Sequence, residues 1–137
     1  LAYFASVITT FLHYRPFVFD ISIDGGEPRK GEYTLIAVAN GRCYGGGIIP
    51  APDADLFSGK FEVCIADKIV KHQVIRFFPK YAKGKHAGLD IVNIKSCKKI
   101  TVSSKETIYL NADGEIFETE KAEFEILDIK LPVSVLR

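Results

Sequence analysis

Alternation of apolar and polar side chains with a period of two is the feature that most limits how this chain can fold. In residues 17–23 the phenylalanine and isoleucine side chains share one face of an extended strand, while Asp20 and Ser22 share the other. The run 33–39 is almost wholly apolar, as expected for a strand covered on both faces. Further short runs of strand type lie at 61–66, 91–94, 99–102, 107–110, 116–117, 122–126 and 133–135. Short strands separated by turn residues predict a mainly β chain folded as an antiparallel β-sandwich.

Two segments have the 3.6-residue spacing of amphipathic helices instead. Residues 3–14 place apolar side chains at helical spacing, and Pro16 ends the pattern. Residues 69–83 show the same spacing. Pro79 predicts a break or kink near the end of this second helix, and Gly84 predicts a left-handed cap after it.

Length and composition are those of one globular domain. The chain has 137 residues, of which 47% are hydrophobic and 26% charged, so we assign residues 1–137 to a single domain. The net charge of +1 gives no general electrostatic reason to expect nucleic acid as a partner. No run approaches the roughly 20 apolar residues of a membrane-spanning helix. Because the chain has no Met and starts at Leu1, we expect it to be a piece of a longer protein.

The remaining compositional signals concern compartment and surface charge. Three widely spaced cysteines, an odd number, fit a reduced cytoplasmic protein better than a disulfide framework. Residues 68–105 are basic, and residues 106–128 are acidic. Both stretches can be solvated outer faces. Alternatively, the basic stretch can rest against anionic lipid headgroups.

Four motifs in order along the chain carry a family resemblance. The first is residues 39–47, where Asn-Gly and three consecutive glycines follow an apolar strand and demand positive φ or close backbone approach. The second motif is Ala-Pro-Asp-Ala-Asp at residues 51–55, followed by residues 58–63. The third motif is Gly84-Lys85-His86, and the fourth is residues 111–115. The motif residues singled out as structural are Asn40, Gly45, Gly46, Gly47, Pro52, Asp53, Gly59, Gly84 and His86.

Together these motifs resemble those of the diacylglycerol and sphingosine kinase-like lipid kinases. The resemblance implies a two-lobed enzyme, in which an amino-terminal α/β lobe with a G-G-D-G-T motif binds ATP and a β-sandwich lobe follows. This chain has no G-G-D-G-T, so it resembles the carboxy-terminal lobe alone and is expected to be inactive by itself. The implied reaction is phosphorylation of a diacylglycerol-like lipid hydroxyl, with ATP and Mg²⁺ as cofactors. The implied partners are a lipid at a membrane surface and the missing lobe, which predicts a cytoplasmic protein with peripheral membrane association.

The resemblance also assigns roles at the Asp-Gly-Glu of the fourth motif. Glu115 matches the residue assigned as catalytic base, Gly114 allows close approach of the nucleotide, and Asp113 orients the turn or faces the metal–phosphate group. The local residues alone favour an ordinary hairpin turn at Asp-Gly, whereas the other three motifs favour the catalytic role of Glu115 by resemblance. A second acidic glycine turn, residues 24–27, is interpreted as an ordinary hairpin. His86 and His72 are interpreted as helix-end or core-edge residues and not as catalytic groups.

A metal site implied by the resemblance is altered in this chain. In bacterial members an Asp and two flanking backbone carbonyls hold a structural magnesium, and the matching positions here are Ser58, Asp55 and Lys60. A hydroxyl is a poor substitute for a carboxylate around a hard cation, and a nearby Lys repels one, although side-chain oxygens of Asp53 or Asp55 can compensate. This departure motivates a second hypothesis, a catalytically silent lipid-binding module of the same ancestry.

Two further expectations stay open. The chain can instead be an unrelated β-sandwich interaction domain in which the motifs are coincidental turns. Exposed strand edges can also pair between chains, so an oligomer is allowed.

Overall fold

The computed structural model describes residues 15–129, which form six strands and one helix. In chain order these are β1 (Phe17–Ile23), β2 (Arg29–Ala39), β3 (Phe61–Asp67), α1 (Lys71–Ala82), β4 (Val92–Cys97), β5 (Lys99–Ala112) and β6 (Glu115–Glu125). All strand pairs are antiparallel. The predicted mainly β, antiparallel architecture is therefore confirmed, whereas the helix predicted at 3–14 and the strand at 133–135 lie outside the described residues.

One sheet with the strand order β4-β3-β2-β1-β5-β6 is folded back on itself at β2. β2 pairs with β1 through residues 29–33 and with β3 through residues 33–39, and the register shifts between Tyr33 and Leu35. β4 and β5 lie four places apart in the sheet, yet only Lys98 separates them in the chain. A flat sheet would hold these strands about 19 Å apart, but two residues of chain span at most about 7 Å. The sheet must therefore fold over, which produces the sandwich-like arrangement.

Two cores form on either side of β3. Val63 and Ile65 pack with residues of β1 and β5 in an inner core between the two halves of the folded sheet. Cys64 and Ala66, on the opposite face of the strand, pack beneath α1. The neighbouring strand β2 is shared in the same way, with partly buried apolar residues on both cores. This double coverage explains the continuous apolar run at 33–39 and confirms that prediction.

The helix predicted at 69–83 is present as α1, and its end follows the sequence signals in part. Gly84 has φ +68° and donates its N–H to the Tyr81 carbonyl, while the N–H of Lys85 reaches the Lys80 carbonyl at 2.8 Å. These two bonds form a Schellman cap, so the predicted left-handed Gly84 is confirmed. Of the break or kink predicted at Pro79, the break does not occur, since α1 continues to Ala82. Proline has no N–H to donate to the backbone carbonyl four residues earlier in the helix. Because Pro79 is exposed, water can bond to that carbonyl instead.

The carboxy-terminal strands are longer than the alternation predicted. The short strands predicted at 99–102 and 107–110 belong to the single strand β5. Those predicted at 116–117 and 122–126 belong to β6, which ends at Glu125. A register shift between Ser103 and Ile108 takes up extra residues in β5 without ending its pairing with β6. The polar segment between the two predicted strands buries no face, and this is why it carries no alternation signal.

The first hairpin turn fixes the single-residue connection between β4 and β5. Asp24 and Gly25 have φ of 48° and 74°, as a two-residue type I′ turn requires. The Asp24 carboxylate accepts the N–H groups of Lys98 and Lys99, each at 2.9 Å. The structural interpretation of this acidic turn is thus confirmed.

The three cysteines are free thiols. Burial raises the pKa of Cys64 to about 12 and that of Cys97 to about 11. Both side chains therefore remain protonated and act as small apolar core residues.

Candidate functional site

Three of the four sequence motifs meet at the carboxy-terminal end of α1. The N–H of Ile49 donates to the Ala82 carbonyl at 3.2 Å, which ties the loop after the glycines to the helix. Gly84 packs against the same loop so closely that a Cβ there would lie 2.9 Å from Ile49 and 3.4 Å from Pro52. We use the term loop cluster for residues 40–60 together with residues 83–86.

His86 is a buried packing residue of the loop cluster. The side chain is fully buried, and its Nε2 donates to the Pro50 carbonyl at 2.9 Å. The imidazole also packs against the Tyr81 ring, with centroids 4.9 Å apart. Burial lowers the pKa of His86, and the bond to the Pro50 carbonyl offsets this only in part. The histidine is therefore neutral near pH 7 and has a packing role, as expected for a core-edge residue.

The glycine run needs its residue type because of backbone conformation. Gly45, Gly46 and Gly47 have φ of 45°, 75° and 93°, a series that residues with a Cβ adopt only with strain. A Cβ on Gly46 or Gly47 would meet open space, so positive φ and not crowding requires glycine there. Tyr44 and Ile48 close the loop with two backbone hydrogen bonds of 3.0 Å. The prediction of positive φ in this run is confirmed.

A tight turn at residues 55–58 follows the Ala-Pro-Asp-Ala motif. The Asp55 carbonyl accepts the Ser58 N–H at 3.0 Å and the Ser58 hydroxyl at 2.7 Å. The Asp55 carboxylate accepts the N–H of Phe57 at 2.9 Å. Beyond the turn, the N–H of Lys60 donates to Ser58 Oγ at 3.2 Å. This part of the loop cluster is held by hydrogen bonds at its exposed surface.

The fourth motif lies at the tip of the β5–β6 hairpin, far along the chain from the loop cluster. We use the term distal hairpin for residues 104–120. Asp113 and Gly114 have φ of 50° and 100° and form the two-residue turn between the paired Ala112 and Glu115. The Asn111 side chain accepts the N–H of Gly114 at 2.9 Å. The predicted hairpin turn at Asp-Gly is therefore confirmed.

The carboxylates beside this turn are exposed to solvent. Asp113 and Glu115 are both exposed. Within residues 15–129 neither carboxylate has a hydrogen bond or an ion pair. The structure thus brings the first three motifs together in the loop cluster and presents the Asp-Gly-Glu tip separately, with acidic groups available to a partner.

Comparison with known proteins identifies the fold that carries these motifs. The family profile described as YegS C-terminal NAD kinase beta sandwich-like domain matches residues 1–135. The chain belongs to this family. At the level of the fold, a crystal structure of a diacylglycerol kinase from Bacillus anthracis matches with a TM-score of 0.64 at 18% identity, covering 88% of this chain and 43% of that one.

Curated relatives of this YegS C-terminal domain are named as kinases. A diacylglycerol kinase of Mycobacterium tuberculosis is 30% identical over 115 residues, which is 84% of this chain and 37% of that protein. A diacylglycerol kinase of Bacillus subtilis is 29% identical over 115 residues, with 84% and 38% covered. The chain therefore spans about two fifths of the length of the curated relatives it matches.

The magnesium site that the resemblance implies does not fit the donor atoms of this YegS C-terminal domain. Ser58 Oγ donates to the Asp55 carbonyl at 2.7 Å and lies 3.3 Å from the Lys60 carbonyl, so the hydroxyl stands between the two oxygens that would bind the metal. A hydroxyl contributes no charge, whereas Mg²⁺ prefers carboxylate oxygens at about 2.1 Å. Among residues 15–129, no group of three His, Cys, Asp or Glu side chains could hold a metal ion. We derive no chemical step through a metal at this turn.

One feature of the site was missed by the sequence reasoning. Leu56 and Phe57, at the centre of the 55–58 turn, are exposed, and Phe57 is 95% exposed. The signal was present in the sequence, since two large apolar residues occupy turn positions that polar residues usually fill.

A search of the described residues for membrane-spanning helices found none with the length and hydropathy to cross a bilayer.

Proposed function

We propose that this chain is the substrate-side lobe of an ATP-dependent lipid kinase that phosphorylates a diacylglycerol-like hydroxyl. Family membership supports this function, as do the diacylglycerol kinases named among the relatives. The relatives are more than twice as long as the matched segment, which supports a second lobe as the main ATP-binding element. A cytoplasmic protein with peripheral access to a membrane surface is the setting that this reaction requires.

The open Glu115 carboxylate is the observation that carries the proposal. Phosphoryl transfer to an alcohol needs a group that takes the hydroxyl proton while the oxygen attacks the γ-phosphorus and ADP leaves. Glu115 is held in register by its backbone pairing with Ala112, while its side chain remains exposed. We assign the role of base to Glu115. Gly114, whose position has open space, would leave room for the nucleotide, and Asp113 would orient the turn or face the metal–phosphate group of Mg²⁺-bound ATP.

Replacement of Glu115 by Gln in the longer protein tests this assignment. The assay is transfer of labelled phosphate from ATP to a panel of lipid alcohols, with the 137-residue chain assayed alongside. We expect Glu115→Gln to lower kcat by about 10²- to 10⁴-fold, the usual contribution of a general base, with little change in folding stability. The matched control is Glu118→Gln, which removes an equally exposed carboxylate from the same strand. Near-normal turnover by Glu115→Gln would remove Glu115 from the base role.

A catalytically silent lipid-binding module is the second candidate, and the Ser58 turn favours it. The hydroxyl that bridges the Asp55 and Lys60 carbonyls leaves the implied magnesium position without its carboxylate. The same phosphate-transfer assay separates the two functions. A folded longer protein that binds lipid but labels none of the alcohols, with Mg²⁺ present, would favour the silent module.

A further inference from the structure

Two large apolar side chains stand out from the surface of the loop cluster. Leu56 is 64% exposed and Phe57 is 95% exposed. Leu56 lies beside the backbone of Gly41, where a Cβ would be 3.5 Å from its Cδ2, while Phe57 is almost wholly in solvent. Single exposed apolar residues are ordinary on protein surfaces. An adjacent pair at the tip of a turn is a different case, because it projects apolar area outward at one point.

The turn that carries this pair is closed by hydrogen bonds. Both residues lie between Asp55 and Ser58, whose three hydrogen bonds have lengths of 2.7, 2.9 and 3.0 Å. Gly59 follows with φ +66°, which reverses the chain towards β3. A turn fixed in this way displays its side chains without losing much further conformational entropy on binding, and such preorganisation favours association.

The net charge of the loop cluster is positive. The loop cluster carries four cationic side chains and two carboxylates, namely Arg42, Lys60, Lys83 and Lys85 against Asp53 and Asp55. Within residues 15–129 the ion pairs involve Lys68 and Lys99, so none of these four cations is neutralised by a salt bridge. The loop cluster thus combines an exposed apolar pair with four cations against two carboxylates. This combination matches an anionic bilayer, since apolar side chains enter the acyl boundary while cations remain among the headgroups.

The distal hairpin provides an internal comparison. It also exposes large apolar residues, including Tyr109, Ile116 and Phe117. Its charge is opposite, because Lys105 stands alone against five carboxylates: Glu106, Asp113, Glu115, Glu118 and Glu120. Exposed apolar area alone therefore does not distinguish the two regions, whereas its combination with positive charge does. An anionic surface would attract the loop cluster and repel the distal hairpin.

We propose that the 55–58 turn docks on an anionic lipid bilayer by inserting Leu56 and Phe57, with the cations of the loop cluster on the headgroups. The choice of a lipid surface as the occupant rests on the proposed function. Docking is measured without ATP, so its outcome and that of the phosphate-transfer assay are separable. Vesicle binding by this chain, together with an absence of phosphate transfer by the longer protein, would overturn the kinase and leave the docking surface in place.

A tryptophan reporter tests insertion directly, because the chain contains no Trp. Phe57→Trp and, as a matched exposed site on the distal hairpin, Ile116→Trp are prepared in the full chain. Each is mixed with vesicles of phosphatidylcholine that contain phosphatidylglycerol, including lipids brominated on the acyl chains. We expect a blue shift and bromine quenching in the Phe57→Trp variant and a water-exposed spectrum in the Ile116→Trp variant. Unchanged emission of the Phe57→Trp variant, or a shift that appears at high protein concentration without vesicles, would overturn the proposal, the latter in favour of a second copy of the chain.

Vesicle co-sedimentation provides the second measurement. Because both side chains are exposed, the double substitution Leu56→Ser and Phe57→Ser should leave the fold intact, which circular dichroism checks. We expect it to weaken binding about tenfold or more, the consequence of withdrawing two large apolar groups from the lipid. Ile116→Ser should bind as the unmodified chain does. Equal binding by the double variant and the unmodified chain would overturn the insertion of Leu56 and Phe57. Binding that does not depend on phosphatidylglycerol would overturn the requirement for an anionic lipid surface.

Discussion

The loop cluster and the distal hairpin both carry motifs of the same family, but they are built in opposite ways. In the loop cluster the motif residues contact one another, through the bond from His86 to the Pro50 carbonyl and the packing of Gly84 on Ile49. In the distal hairpin, Asp113 and Glu115 make no side-chain bond within the described chain. A shared motif can therefore record either a packing requirement or an exposed chemical group. The contacts around each residue decide which one applies.

The largest effect on stability should come from His86. His86→Ala leaves a cavity and an unpaired buried carbonyl at Pro50, and we expect a loss of about 3 kcal/mol in the free energy of unfolding. Denaturant titration measures this value. His72→Ala, at an exposed position on α1, and Glu115→Gln, in the distal hairpin, should each stay within about 0.5 kcal/mol of the unmodified chain. A comparable loss in Glu115→Gln would contradict the contrast between the two regions.

Substitution of Gly84 distinguishes the energetic cost of close packing from the cost of a positive φ. Gly84→Ala combines positive φ with a Cβ only 2.9 Å from Ile49, so we expect a loss of about 2 kcal/mol. Gly46→Ala is the matched control, because Gly46 has a similar φ of 75° but open space around it. This control should lose only the conformational part, about 1 kcal/mol. Equal losses in the two variants would mean that the contact with Ile49 adds nothing.

Acidification should weaken the loop cluster through His86. The pKa of His86 is lowered in the folded chain because the ring is buried, whereas in the unfolded chain it has its ordinary value near 6.5. Below that value the unfolded state takes up a proton that the folded state does not, so stability falls as the pH decreases towards the folded-state pKa. We expect a progressive loss in the free energy of unfolding as the pH falls from about 7 through 6.5. His86→Gln should lack this component, and an identical pH dependence in that variant would exclude His86 as its source.

The smallest effect should come from Ser58, at the exposed edge of the loop cluster. Ser58→Ala removes the hydroxyl bridge to the Asp55 carbonyl, and we expect a loss of about 0.5–1 kcal/mol. Ser58→Asp supplies the carboxylate that the implied magnesium site lacks. Titration of Mg²⁺ should raise the thermal unfolding midpoint of Ser58→Asp and leave that of the unmodified chain unchanged. An equal rise in both would show that the serine turn already binds the cation.

Short-range signals were the most successful guide to the fold. Alternation located β1 with both of its ends, the Asp-Gly pairs located two hairpin turns, and Gly84 located the end of α1. The helix break that Pro79 suggested was wrong, because a proline in the last helical turn leaves only one carbonyl of the preceding turn unpaired, and water can bond to it. The predicted breaks inside β5 and β6 were wrong, because backbone pairing continues across residues whose side chains bury nothing.

The sequence alone determined which residues can take each local conformation, since spacing and turn chemistry act over a few neighbouring residues. It also indicated, by resemblance, the family that the comparison with known proteins then showed. Tertiary structure alone decided that the sheet folds at the Tyr33–Leu35 shift and that His86 lies against Pro50, 36 residues away. It also decided that Phe57 is exposed and that the Glu115 carboxylate is left open. These features depend on which distant segments pack together, and a local pattern carries no information about a contact that forms only when the chain closes on itself.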